Sequence, residues 1–186
     1  MIRKTFILFI TLSNFLVAQE AIKKVEGGIS DTFPVPTTKN LLFYVQRTHN
    51  KNTIVYDINY NADSTLNNKK PVNAYWIRYS DGGGEAPLSY IQQHYAYGIR
   101  SELVDSVKMI FKLNFVSYEK RDIYLIKNKT DKKYRAYIYI NGKLSVLTKI
   151  FVKIEGGTFW VPHITSVEIS GISIPQRNVV KEIFKP

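Results

Sequence analysis

The 186-residue sequence contains no cysteine. That absence excludes disulfide staples, thiol nucleophiles and cysteine metal ligands, and it excludes lipid attachment, which needs a thiol at the cut site. Stability must come from burial alone. Histidine is scarce, and His49, His94 and His163 lie far apart in unlike settings, so their spacing offers no zinc constellation. The Gly-rich stretch Ser80-Asp81-Gly82-Gly83-Gly84-Glu85 lacks both the lysine and serine or threonine of a phosphate loop and the spacing of a dinucleotide fingerprint. No Gly-x-Ser-x-Gly elbow occurs. Ser117-Tyr118-Glu119-Lys120 matches Ser-x-x-Lys, but it lies in a polar connection between strands and its partner motifs are missing. Repeats, coiled-coil heptads and low-complexity tracts are absent as well.

Long apolar runs are lacking except at the start. Arg3 and Lys4 precede an apolar segment from Thr5 to Val17, followed by Ala18-Gln19-Glu20. A basic start, a short apolar stretch and a small-residue cut site describe a secretory signal peptide. Ser13 and Asn14 interrupt the run, which is shorter than the roughly 20 residues that cross a bilayer. The expectation is a signal at 1–19, a periplasmic or secreted product, and no transmembrane segment after cleavage. Removing nineteen of 186 residues leaves 167, enough for one domain with a real core. The net charge of +11 falls to +9 without Arg3 and Lys4, since all 15 acids lie downstream. Such a surface favours contact with anionic envelope material, or serves solubility alone.

Residues 20–39 read as an extended lead-in, punctuated by Gly27-Gly28, Pro34 and Pro36. From 40 to 186 the pattern is that of a single β-rich domain. Thr53–Tyr60 alternates, with Ile54, Tyr56, Ile58 and Tyr60 on one face. Val107–Phe115 alternates around Phe111 and Leu113, and Leu41–Gln46 and Ile123–Ile126 are short apolar runs. Tyr134–Ile140 and Lys143–Ile154 flank Asn141-Gly142, a two-residue hairpin signal that places Tyr139 opposite Leu144 and Tyr137 opposite Val146. Thr165–Ser173 and Asn178–Phe184 form a last hairpin around Pro175. One helical period interrupts the strands: Leu88, Ile91 and Tyr95 after Pro87 predict a helix from about Ala86 to Tyr97, with Glu85 capping it and Gly98 closing it. About nine strands joined by tight turns predict a meandering antiparallel β-barrel with one inserted helix, the alternative being a β-sandwich.

The chain carries 13 Tyr, 10 Phe and 2 Trp, a supply that suits either strand packing or a cavity lined by amphipathic rings. The best ligand-binding candidate is Tyr75-Trp76-Ile77-Arg78-Tyr79. Arg78 beside Trp76 can clamp a carboxylate or phosphate while the ring covers the adjoining surface, with Tyr75 near. In the competing reading Arg78 simply pairs with Asp57 or Asp81. The leading expectation is a non-enzymatic barrel that binds a small amphipathic or anionic envelope ligand. A glycan- or lipid-directed hydrolase would instead need two of Asp57, Asp81 and Glu85 as converging acid/base groups. A structural envelope protein needs only a basic face. No metal, cofactor or nucleic acid is expected.

Two blocks carry a family resemblance. Leu42-Phe43-Tyr44-Val45-Gln46-Arg47 with Asn52-Thr53-Ile54-Val55-Tyr56 is one, and Pro71-Val72-Asn73-Ala74-Tyr75-Trp76-Ile77-Arg78 leading to Tyr90-Ile91-Gln92 and Tyr95-Ala96-Tyr97-Gly98 is the other. Together they resemble an uncharacterised domain-of-unknown-function family of secreted bacterial proteins, the one numbered 4833. The resemblance implies one exported domain and carries no activity with it. Mass measurement of the exported protein should give a chain that begins near Glu20 and bears no lipid. A membrane-embedded protein that keeps Met1 would contradict the export reading.

Overall fold

The structure, a computed structural model, describes residues 33–158, 161–174 and 176–186. The signal expected at 1–19, most of the lead-in, and Pro175 of the last hairpin lie outside the described residues. Pro34–Pro186 gather into one unit of contacts. Within it run eleven strands: β1 (Leu41–Arg47), β2 (Asn50–Ile58), β3 (Val72–Arg78), β4 (Gly84–Pro87), β5 (Ile99–Asp105), β6 (Ile110–Phe115), β7 (Tyr118–Lys127), β8 (Tyr134–Ile140), β9 (Lys143–Gly157), β10 (Pro162–Ser173) and β11 (Val179–Phe184).

Neighbours in sequence pair antiparallel from β1 to β4 and again from β5 to β11. The two runs join where β1 lies parallel to β9, with Val45 opposite Ile150 and Arg47 opposite Val152. The outcome is essentially all-β, as the sequence leads one to expect: a strongly curled mixed sheet that forms a half-barrel. The roll stops short of closure, so β4 and β5 remain at the two ends of the path.

Strand β9 makes this arrangement possible. Along one edge β10 follows it from Ser145 to Gly157. The other edge is divided: β8 pairs with Lys143–Val146 and β1 with Lys149–Val152. Between these two stretches Gly171 faces Leu147 and Ser170 faces Lys149, so Thr148 is an extra residue, a β-bulge. Its hydroxyl donates to the Ser170 carbonyl at 3.0 Å. A bulge bends a strand and reverses its alternation. Here Ser145 and Leu147 are buried before it and Ile150 after it, so both halves present side chains to the same interior.

The Asn141-Gly142 turn forms as its chemistry dictates, with φ of 48° and 73° at the two positions, and the register is the predicted one. In β2, Ile54, Tyr56 and Ile58 face the core as expected. The strand predicted from Val107 begins only at Ile110. Asp105 accepts the Lys108 amide at 2.9 Å and Met109 takes a φ of 51°, so residues 106–109 are a turn. β5 was not anticipated, because Arg100, Glu102 and Asp105 obscure its alternation.

The predicted helix is largely replaced. Ala86 pairs with Trp76 and Pro87 with Tyr75, so Glu85 and its neighbours form β4 and cap nothing. Gly82 and Gly83, at φ 87° and 81°, serve a strand-to-strand turn. Within the predicted span, helical structure covers Tyr90–Ala96, with Gln92–Ala96 in a π turn. Its start is Ser89: the Ser89 Oγ accepts the Gln92 amide at 3.3 Å, and the Gln92 carboxamide oxygen accepts the Ser89 amide at 3.0 Å. That reciprocal pair is a capping box with Gln at the third position. Among the described residues no helix is long and apolar enough to cross a membrane.

Gly171 lies opposite the bulge, and a Cβ there would meet the Val146 carbonyl oxygen at 2.6 Å and Ile140 Cδ1 at 2.8 Å. Gly171→Ala should therefore lower unfolding stability by about 1–3 kcal/mol in urea melts. Gly84→Ala, with open space around its Cβ, should change it by less than about 0.5 kcal/mol.

Candidate functional site

Three rings fill the base of the half-barrel. Phe43 and Tyr56 stack with centroids 4.6 Å apart, and Phe115 stands edge-on to both, at 6.1 and 5.5 Å. The fully buried Tyr56 donates its hydroxyl to the Tyr97 carbonyl at 2.8 Å, and burial pushes its pKa well above the usual phenol range. That bond attaches the Ser89–Tyr97 turn to the core. Further bonds reinforce it: the Trp76 indole N–H donates to Gln92 at 3.1 Å, and the Ser117 hydroxyl donates to the Ala96 carbonyl at 2.6 Å. Trp76 and Tyr97 meet edge to face at 5.5 Å.

Beside this turn the half-barrel holds an open cavity of about 890 Å³. Val45, Ile138, Ile150 and Ile169 belong to its apolar lining, and β9 and β10 extend it through Ile154 and Ile164. Ile91 and Tyr95 line the mouth, where they are 47% and 70% exposed. These are two of the three residues whose helical spacing marks an apolar stripe in the sequence. Leu88 enters the core, whereas Ile91 and Tyr95 face open space.

Two arginines share the lining, in different states. Arg121 donates twice to Glu182, once at 3.1 Å, and its guanidinium lies 4.6 Å from the Phe184 ring centre. Glu182 also accepts the Asn141 amide at 2.8 Å. Arg121 holds the Glu182 carboxyl below the ordinary glutamate range. Arg47 has no carboxylate partner among the described residues. Its guanidinium lies 5.3 Å from the Trp76 ring centre and 5.9 Å from that of Tyr97, and Nη1 donates to the Tyr97 hydroxyl at 2.8 Å. Phe43, Val45 and Arg47 alternate onto one face of β1, so a half-buried charge stands in line with core residues.

The residues singled out in the sequence separate. Trp76 is buried on the core face, and the arginine over it is Arg47. Arg78 is exposed at the end of β3, outside the cavity lining, and pairs with neither Asp57 nor Asp81 among the described residues. Tyr75 alternates to the opposite face of the sheet. There its hydroxyl donates to Asp57 at 2.9 Å, and Thr38 donates to the other Asp57 oxygen at 2.7 Å. Burial, with the Asp57 hydrogen bond and the charges of Asp57 and Glu85, raises the Tyr75 phenol pKa. Asp81 and Glu85 are exposed. His49 lines the cavity mouth, His94 stacks on Tyr90 at 4.0 Å, and His163 contacts the Glu155 carbonyl at 3.0 Å. Among the described residues no cluster of three metal-ligating side chains occurs. Arg47 went unnoticed in the sequence, although a basic residue in register with Phe43 and Val45 is a visible signal.

A protein-family model described as Domain of unknown function (DUF4833) matches residues 43–183, more than half of the chain. No curated protein matches, and no solved structure does.

Glu182 provides a check on the cavity wall. Its folded pKa lies below its unfolded value near 4.5, so its pairing stabilises the fold above that pH and is lost as pH falls through the lowered folded value. Glu182→Gln should cost about 1–2 kcal/mol at pH 7, in line with a part-exposed charged hydrogen bond. In denaturant melts the gap to the unmodified protein should narrow below pH 4.5.

Proposed function

The chain belongs to the family described as Domain of unknown function (DUF4833), and on that premise we propose that it is a binding protein for a small amphipathic molecule. The ligand's apolar part occupies the half-barrel cavity. The observation that carries this reading is the cavity itself: about 890 Å³, walled by aliphatic side chains from β1, β8, β9 and β10, with Ile91 and Tyr95 left exposed at its mouth. Ligand pockets in proteins run from roughly 300 to 1,000 Å³ and are mostly apolar with a few placed polar groups. Exposed apolar side chains grouped around a concavity mark a surface that gains by being covered.

Export gives the reading its setting. A signal at 1–19 would deliver the mature chain to the periplasm or the exterior, where amphipathic envelope molecules are the available occupants. The positive charge of the chain then favours peripheral contact with anionic envelope surfaces. The proposed role is non-enzymatic. The acid/base alternative would need two of Asp57, Asp81 and Glu85 to converge. What supports the binding reading instead is that Asp81 and Glu85 are exposed while Asp57 is hydrogen-bonded to Thr38 and Tyr75.

Native mass spectrometry of protein from its own host should find a retained small molecule. Ile164 lines the outer part of the cavity and is half-buried. Ile164→Trp should fill that space and abolish retention while leaving the unfolding free energy within about 0.5 kcal/mol of wild type. Retention unchanged in Ile164→Trp would place the ligand elsewhere.

A further inference from the structure

We infer that Arg47 reads the head of the ligand, which is therefore a single-chain amphiphile ending in a carboxylate or phosphate. The inference rests on the cavity reading above and adds the chemistry of the polar end. A guanidinium carries five N–H donors in a planar fork. In Arg47 one nitrogen, Nη1, is engaged by Tyr97, and no other hydrogen bond is made among the described residues. No buried side-chain nitrogen lacks a partner among the described residues, so the remaining Arg47 donors are reached by solvent, and Arg47 belongs to the cavity lining.

A half-buried charge on a mostly apolar wall is costly unless it is paired. Trp76 and Tyr97 offset part of that cost through their ring faces. Together with the Nη1 bond to the Tyr97 hydroxyl, the Trp76 ring restricts the orientation of the fork and leaves its other N–H groups as the free edge. An edge with two parallel N–H groups matches the two oxygens of a carboxylate or phosphate. The other arginine of the lining already has its anion in Glu182. Arg47 alone of the two still lacks one. The apolar walls then take the chain of the same molecule, since Val45 and Val152, next to Arg47 in the ladder, lead directly into them.

The test uses ligand-stripped protein and three probes of one chain length: dodecanoate, dodecyl phosphate and dodecanol, titrated calorimetrically, with acetate and inorganic phosphate as chainless controls. At least one of the two anionic amphiphiles should bind about 10–100-fold more tightly than dodecanol, the span of a charged hydrogen-bonded pair. Whichever leads identifies the head as carboxylate or phosphate. Arg47→Met should erase the preference by weakening the anions to the level of dodecanol. Equal binding of all three probes to the wild-type protein would overturn the role of Arg47 and leave the cavity reading intact; that comparison needs no variant. A preference that survives Arg47→Met would also overturn it. Acetate or phosphate binding as tightly as the chain-bearing anions would overturn the single-chain assignment. Failure of every amphiphile to bind would overturn both readings.

Discussion

The half-barrel depends on one misfit residue. Strand β9 must serve three partners, and a regular strand of that length would turn every other side chain out of the core beyond its midpoint. The Thr148 bulge removes the conflict. It resets the alternation, so that Leu147 before it and Ile150 after it enter one interior. It also marks the place where the edge of β9 passes from β8 to β1. Gly171 is the matching concession on β10, since a side chain there would collide with the backbone at Val146. The curl of the sheet, the cavity inside the curl and the position of Arg47 on β1 all follow from this junction.

The cavity and its cap are a single device. β1 delivers Arg47, β3 delivers Trp76, and the Ser89–Tyr97 turn delivers Tyr97, so the cluster of one guanidinium and two rings joins three segments distant in sequence. Each contact is modest, with cation–π pairs worth about 0.5–2 kcal/mol. The arrangement is nonetheless well determined, because the turn is held independently by Tyr56, Trp76 and Ser117. A polar anchor is useful for recognition only when its supports keep it in place without the ligand. Here the supports lie largely in the core.

Much of the fold was legible where local chemistry decides. Asn141-Gly142 fixed a hairpin and its register, and the alternation of β2 placed Ile54, Tyr56 and Ile58 inward. The misreadings arose where local signals competed. Pro87 and the stripe Leu88, Ile91 and Tyr95 suggested a helix from Ala86, but cross-strand pairing with β3 claimed Glu85–Pro87. Ser89 and Gln92, which set the true start, were present and unread. Of the residues singled out, Trp76 does have an arginine over its ring, so that pairing of residue types was legible. The arginine itself was not, because a neighbour in sequence along a strand is two residues away on the same face, while Arg47 arrives through tertiary pairing. The parallel contact between β1 and β9 has no local signature at all.

That contact bears on how the chain reaches its native state. Tyr44 and Lys149 are ladder partners separated by about a hundred residues, and contacts of such range are slow to form because loop closure must precede any gain. Strands β1–β4 can assemble early by local hairpins, yet their apolar face stays wet until β9 exists and has bent. Strands β7–β10, joined by short turns, can build the bent platform by themselves. Long-range loop closure then favours a late docking of the two meanders along four ladder positions. Until it happens neither the cavity nor the charge on its wall is defined, so the proposed recognition would be available only at the end of folding.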